Sequence, residues 1–211
     1  MSRTSRGRSL WHGAALFLFV FGAPALVGCW STEPPARPAT TSPESNRPAA
    51  DEGLDGLLDL MRQRLLLMHD VARWKWNQGA PITDPAREQQ LLTALEERGL
   101  RYGLSRQQTK EFMSAQIEGG KLVQQADFAD WQTQDRGTFE DVRDLSTDLR
   151  PRIDELSDRL LKQLAELPRT LGKDSSGSHV EQRAAVLLVG DGIDDAVRAA
   201  AIRPLFHGKR P

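Results

Sequence analysis

The sequence predicts an all-α fold, a helical domain of about five to six helices, and three observations carry that prediction. From Leu54 onward, apolar residues recur at helical spacing rather than in strict alternation. The periodic stretches are bounded by helix stop and start signals: "NQGAP", "TDPARE", "LSRQQ" and "GDG". Strand-type runs are few, and no internal repeat is visible. With 211 residues, 39% hydrophobic and 27% charged, the chain can bury one proper core and still carry appendages.

The appendages come first. Arg3, Arg6 and Arg8 precede "AALFLFVFGAPALVGC", an apolar run too short and too broken by Gly and Pro to span a membrane comfortably. Residues 1–28 therefore read as an export signal. The only cysteine, Cys29, ends "LVGC", which resembles a lipobox in which the cysteine is lipidated and becomes the new N-terminus. The other reading is cleavage after "APA" at Ala25, which leaves Cys29 a free thiol. An exported chain with a single cysteine has no intramolecular disulfide to make, and this favours lipidation, with membrane attachment through Cys29. Removing residues 1–28 takes away three basic and no acidic residues, so the formal charge becomes (28 − 3) − 29 = −4. That is not the charge of a nucleic-acid binder. Residues 29–53 are rich in Pro, Ser, Thr and Ala without apolar period, and read as an extended tether.

The domain itself covers 54–211, with core helices over 54–131 and C-terminal helices over 144–211. A first helix is expected from Leu54 to Gln78, stopped by Gly79 and Pro81. Asp84 followed by Pro85 starts a second, because the carboxylate caps free N–H groups and proline misses no donor at the first helical position. It should extend to Arg101. Ser105 with Gln108 forms a capping-box pattern and opens a third helix through Trp131. A fourth should start near Asp148, with Pro151 in its first turn. Shorter helices follow around 180–190 and 192–203, parted by "GDG" and closed by Pro204. Val186, Leu187, Leu188, Ile193 and Val197 are the expected core of this last part.

Familiar catalytic devices are scarce. His12, His69, His179 and His207 have no metal-ligand spacing, so no metal is expected. There is no GxSxG elbow, Walker loop or GxGxxG. An enzyme built on this chain would work without a cofactor. The unusual feature lies on the first helix, where Leu57, Leu60, Met61, Met68 and Val71 form one stripe and Arg64 and Lys75 fall on it. Eleven residues make three helical turns, about 16 Å along the axis, so the two cations share a line. An unpaired buried cation costs several kcal/mol. The cations therefore need acidic partners, a route to solvent, or a small anion held between them.

Arg87 and Glu88 follow in the first turn of the second helix. The series Arg64, Lys75, Arg87, Glu88, with "DVARWKW", "PITDPAREQQLL" and "QIEGGKLVQQADFADW", resembles the all-helical chorismate mutases, specifically their secreted, or gamma, subclass. The resemblance is strong over 54–131, weaker over 144–164 and faint beyond. It implies conversion of chorismate to prephenate, a Claisen rearrangement that needs neither proton transfer nor covalent intermediate. The resemblance makes Arg64, Lys75 and Gln124 the catalytic residues. Arg64 would clamp a carboxylate, Lys75 would reach a carboxylate and the ether oxygen, and Gln124 would donate to that oxygen. Arg87 and Glu88 would organise the region around the ring hydroxyl. Asp84, counted with the substrate-binding residues, would act chiefly as the cap and through loop geometry, with direct substrate contact as the alternative. Arg150, in line with Ile153, Leu160 and Leu164, would supply the last cation from the same chain, in preference to Arg152. The family further implies a homodimer with each site inside one protomer.

Two departures stand out. Gly120 occupies the position where many relatives bind a carboxylate with Ser or Thr. Either "GG" allows close packing of the third helix, or the contact passes to backbone, water or Lys121. Secreted relatives can carry a disulfide in the C-terminal half, which this chain cannot form. Two other functions compete with the mutase: isochorismate–pyruvate lyase chemistry on a similar dianion, and a non-catalytic helical envelope lipoprotein.

Overall fold

The computed structural model describes residues 49–167 and 176–207. The expected signal over 1–28, Cys29, His12 and most of the tether lie outside the described residues. Seven α-helices are described: α1 Ala49–Gln78, α2 Pro85–Arg101, α3 Arg106–Thr133, α4 Arg150–Glu166, α5 Ser176–Leu187, α6 Asp195–Ile202 and α7 Pro204–His207. A π-helical turn, Leu145–Leu149, leads into α4. Among the described residues there is no strand. None of their helices is long and apolar enough to cross a membrane.

The start signals are read locally, as expected. Asp84 accepts from the Arg87 N–H at 3.0 Å, and Pro85 stands first in α2. Ser105 accepts from the Gln108 N–H at 3.2 Å while the Gln108 amide oxygen accepts from the Ser105 N–H at 2.9 Å, completing the capping box. Gly79 ends α1 at φ 59°, a left-handed conformation that costs glycine little.

Other boundaries differ from expectation. Helix α1 starts at Ala49, about one turn before Leu54, inside the stretch expected as tether. The fourth helix is entered earlier than Asp148, because Asp144 caps the π turn through Ser146 N–H, Thr147 N–H and Thr147 Oγ1 at 2.9, 2.7 and 2.8 Å. Helix α6 ends at Ile202, just before Pro204 as expected, but one more short helix follows. Pro204 opens this α7, where its missing N–H is no loss. Val186 is 65% exposed and is not core, since the packed face of α5 is Val180, Ala184 and the following Leu188.

The stripe of α1 (Leu57, Leu60, Met61, Met68 and Val71) is buried against α3 and α4. Helix α3 is the central element, touching α1, α2 and α6. Its two glycines face different neighbours. A Cβ on Gly119 would stand 3.3 Å from Leu65 and 3.5 Å from the Ala201 Cβ, so Gly119 lets α6 approach closely. Helices α2 and α3 approach closer still at Gly99, where a Cβ would lie 2.0 Å from Thr109 Oγ1 and 3.1 Å from both its carbons. Thr109 is fully buried and cannot swing into open space. Gly99→Ala is accordingly expected to destabilise the fold by about 1–3 kcal/mol, an overpacking effect. Thermal melts followed by circular dichroism check this; an unchanged midpoint would mean the α2–α3 contact is looser than described.

His69 fastens α1 to both α3 and the α5–α6 connection. Its Nδ1 lies 2.8 Å from an Asp127 oxygen and its Nε2 lies 3.0 Å from the Asp191 carbonyl oxygen, so both ring nitrogens face acceptors. The Asp127 hydrogen bond, aided by Asp191, outweighs burial and raises the imidazole pKa to about 9. A raised folded-state pKa adds stability that is fully present below the ordinary value of about 6.5 and disappears as pH rises through about 9. Between pH 6.5 and 9.5 the melting temperature of the wild type should therefore fall more steeply than that of His69→Gln. Parallel curves would show that the His69–Asp127 pair does not form in solution.

Candidate active site

The cations that the sequence puts on the dry stripe of α1 open onto a cavity of about 190 Å³ among α1, α2, α3 and α4. Arg64 is the deepest, at 3% exposed. Its Nη1 donates to the Gln116 carbonyl oxygen at 2.8 Å, while its Nε is buried without a partner. Burial pulls its pKa down to about 10, against the opposing field of Asp154, so the guanidinium remains charged at neutral pH. Lys75 donates to the Ile82 carbonyl oxygen at 2.6 Å. Its pKa is lowered, chiefly by burial, with Arg150 and Lys121 adding to the fall and Glu88 and Asp84 opposing it.

Arg64, Lys75, Asp84, Arg87, Glu88, Gln124 and Arg150 all line this one cavity. Arg87 and Asp84 are exposed side chains at its mouth, on the first turn of α2 and its cap. Gln124 is buried; its Nε2 donates to the Gly120 carbonyl oxygen at 3.0 Å and lies 3.7 Å from Met68 Sδ. Its amide oxygen has no partner.

Arg150 lines the cavity from its rim, and it is an exposed residue rather than one on a buried stripe. Its Nη1 donates to Ser146 Oγ at 3.2 Å. Arg152 instead donates to Asp148 at 2.8 Å, away from the cavity. The π turn that presents Arg150 is held by Arg143, which donates to Asp148 at 2.8 and 3.0 Å and to Asp70 of α1 at 3.0 Å. Beyond it, Asn77 and Phe139 exchange two hydrogen bonds of 2.8 Å, and Phe139 packs edge-on against Trp131.

Gly120 does not line the cavity. A Cβ there would lie 3.0 Å from Met68 Sδ and 3.1 Å from Met68 Cγ, so Met68 fills the space a side chain would use. Two further charged residues line the cavity: Asp154, assigned no role from the sequence, and Lys121, named from it only as one possible substitute at Gly120. Asp154 lies one turn after Arg150, and Lys121 three residues before Gln124, spacings that place each on the same helix face as its neighbour. Arg64, Lys75, Arg87, Lys121 and Arg150 make five cations against the carboxylates Asp84, Glu88 and Asp154, a formal excess of 5 − 3 = 2 positive charges.

A helical fold with a small cavity lined by two positive charges in excess is suited to a compact anionic molecule. The comparisons with known proteins narrow the class. A family model, chorismate mutase type II, matches residues 52–125. The crystal structure of chorismate mutase from Burkholderia thailandensis has a TM-score of 0.67 and 30% identity, covering 74% of this chain and 99% of that one. The secreted chorismate mutase of Yersinia pestis is 33% identical over 111 residues, 53% of this chain and 59% of that protein. That of Mycolicibacterium smegmatis is 29% identical over 109 residues, 52% of this chain and 60% of that protein. The chain thus spans about three fifths of the length of the curated relatives it matches. It belongs to the chorismate mutase family.

Proposed function

We propose that this chain is a chorismate mutase of the secreted subclass, rearranging chorismate to prephenate by holding its reactive conformer and stabilising the charge that develops on the ether oxygen. The observation that carries this reading is Arg64, a charged guanidinium buried in a cavity wall with an Nε donor left over. An unsatisfied buried donor on a cation is costly, and a substrate carboxylate is the group that would satisfy it.

The roles follow from chemistry. Arg64 clamps one carboxylate, and Arg150 on the rim takes the other. Lys75 and Gln124 aim N–H groups at the ether oxygen; of the two amide donors of Gln124, one is held by Gly120 and the other meets only the weak sulfur acceptor of Met68, so it is available. Glu88 accepts the ring hydroxyl and Arg87 steadies that end. Asp84 serves as the helix cap that orients both. Preorganised donors of this kind act without a proton transfer or covalent bond, so the rate comes from orientation and electrostatics.

The oligomer we propose is the homodimer that the family resemblance implies, with Arg150 completing each site from the same chain. The export signal, the tether and the helical domain that α1 opens at Ala49 fit an extracytoplasmic enzyme, periplasmic or anchored through lipidated Cys29. The decisive experiment incubates the purified protein with chorismate and follows its loss together with acid-released phenylpyruvate from prephenate. Conversion at enzymatic rates is expected. No conversion would overturn the proposal, and release of pyruvate from isochorismate would favour the lyase.

A further inference from the structure

Met68 and Gly120 pose a chemical question that Lys121 answers. Glycine at position 120 offers no side chain to an anion in the cavity, and the Met68 thioether occupies the space in front of it. The next residue does reach it. Lys121 lines the cavity on the face it shares with Gln124, and its side chain is 19% exposed. Its ammonium lies 3.4 Å from Glu88 Oε2 and 3.2 Å from Glu118 Oε2. Both distances exceed the roughly 2.7–2.9 Å of a strong charge-assisted bond. Neither carboxylate therefore holds Lys121 tightly, and the ammonium has a third donor besides. Burial pulls its pKa down, but Glu118 and Glu88 more than offset this, so it is a cation at neutral pH.

We propose that Lys121 is a substrate-binding residue of this site, exchanging its loose contacts with Glu88 and Glu118 for a substrate carboxylate and so supplying the side-chain contact that Gly120 lacks. The inference rests on the chorismate reading. It also accounts for the charge of the cavity, since without Lys121 the five cations become four and the formal excess drops from two to one, short of a dianion. As Lys121 turns to the carboxylate, Glu88 is released to accept the ring hydroxyl. One side chain thereby couples the two ends of the ligand.

A carboxylate is charged in ground and transition state alike, so losing its partner weakens binding of both equally and appears in KM rather than kcat. The test uses the full chain as wild type, Lys121→Met, Lys121→Arg and Glu118→Gln, with chorismate turnover and calorimetric chorismate binding measured on each. Lys121→Met should raise KM and Kd at least tenfold with kcat within about threefold. Lys121→Arg should recover most of that loss, and Glu118→Gln should leave KM unchanged or lower. A structural role would not be rescued by arginine. A Lys121→Met protein whose KM and Kd stay within twofold of wild type overturns the proposal, as does a Glu118→Gln protein whose KM rises tenfold. Should Lys121→Met fail to fold, the arginine and Glu118 variants decide the matter. Wild type that binds chorismate without converting it sinks the mutase reading alone, because Kd still reports on Lys121; wild type that neither binds nor converts it sinks both.

Discussion

Arg64→Met is expected to lower kcat/KM for chorismate by about 10²–10³-fold while leaving the protein as stable as wild type or more so. The two halves of this result have one origin. Truncating one partner of a buried hydrogen-bonded charge pair costs about 2–5 kcal/mol of binding, roughly thirtyfold to several thousandfold in rate when the pair is formed with the transition state. In the empty protein, however, the same guanidinium is a buried cation with an unpartnered Nε, and a methionine of similar length relieves it. The main chain loses little, because the Gln116 carbonyl that accepts from Nη1 sits in the middle of α3 and keeps its helical partner. Turnover assays and thermal melts on the one variant check both halves. Activity within tenfold of wild type would show that Arg64 is a structural cation and that the site is centred elsewhere.

Gln124→Glu is expected to cost about 10²–10³ in rate near pH 7.5 and to recover as the solution is acidified. The substitution changes one donor group and almost nothing of the shape. Arg64, Lys75 and Lys121 around the same cavity favour the ionised carboxylate, which offers the ether oxygen no hydrogen. One of its oxygens would also face the Gly120 carbonyl, now 3.0 Å from the amide nitrogen. Protonation restores a donor and removes that repulsion together. Losing one donor to a developing oxyanion typically costs roughly 3–4 kcal/mol, enough to separate the two pH–rate profiles clearly. Parallel profiles, with less than a threefold cost at neutral pH, would place Gln124 away from the ether oxygen. Circular dichroism at each pH guards against loss of fold.

What the sequence disclosed divides by distance along the chain. The cap at Asp84, the box at Ser105 and the turn at Gly79 rest on groups within four residues of one another, and each was legible. So was the line of Arg64 and Lys75, because α1 is long and its apolar stripe is regular. The π turn was not, because Arg143 secures it through Asp70, 73 residues away. The displacement of Gly120 from the lining depends on Met68 in another helix, which no reading of "EGGKL" alone could supply. Lys121 was named only as one substitute among several, since Glu118 three residues earlier makes it read as an ordinary surface pair. Val186 misled for a related reason: it is apolar and β-branched, but the face that α5 presents to α1 is set by Val180, Ala184 and the Asp55–Arg183 ion pair.

The bond from Arg64 to Gln116 keeps two tasks of one residue apart. Its acceptor is a main-chain carbonyl, whereas the Gln116 side chain points the other way and donates to the Ala201 carbonyl at 2.9 Å, fastening α6. Any residue at position 116 offers the same carbonyl to Arg64. Mutations there can loosen or rebuild the C-terminal helices without depriving the guanidinium of its anchor. The back of α3, at Gln116 and Gly119, thus serves the contact with α6, while Lys121 and Gln124 on the same helix serve the cavity.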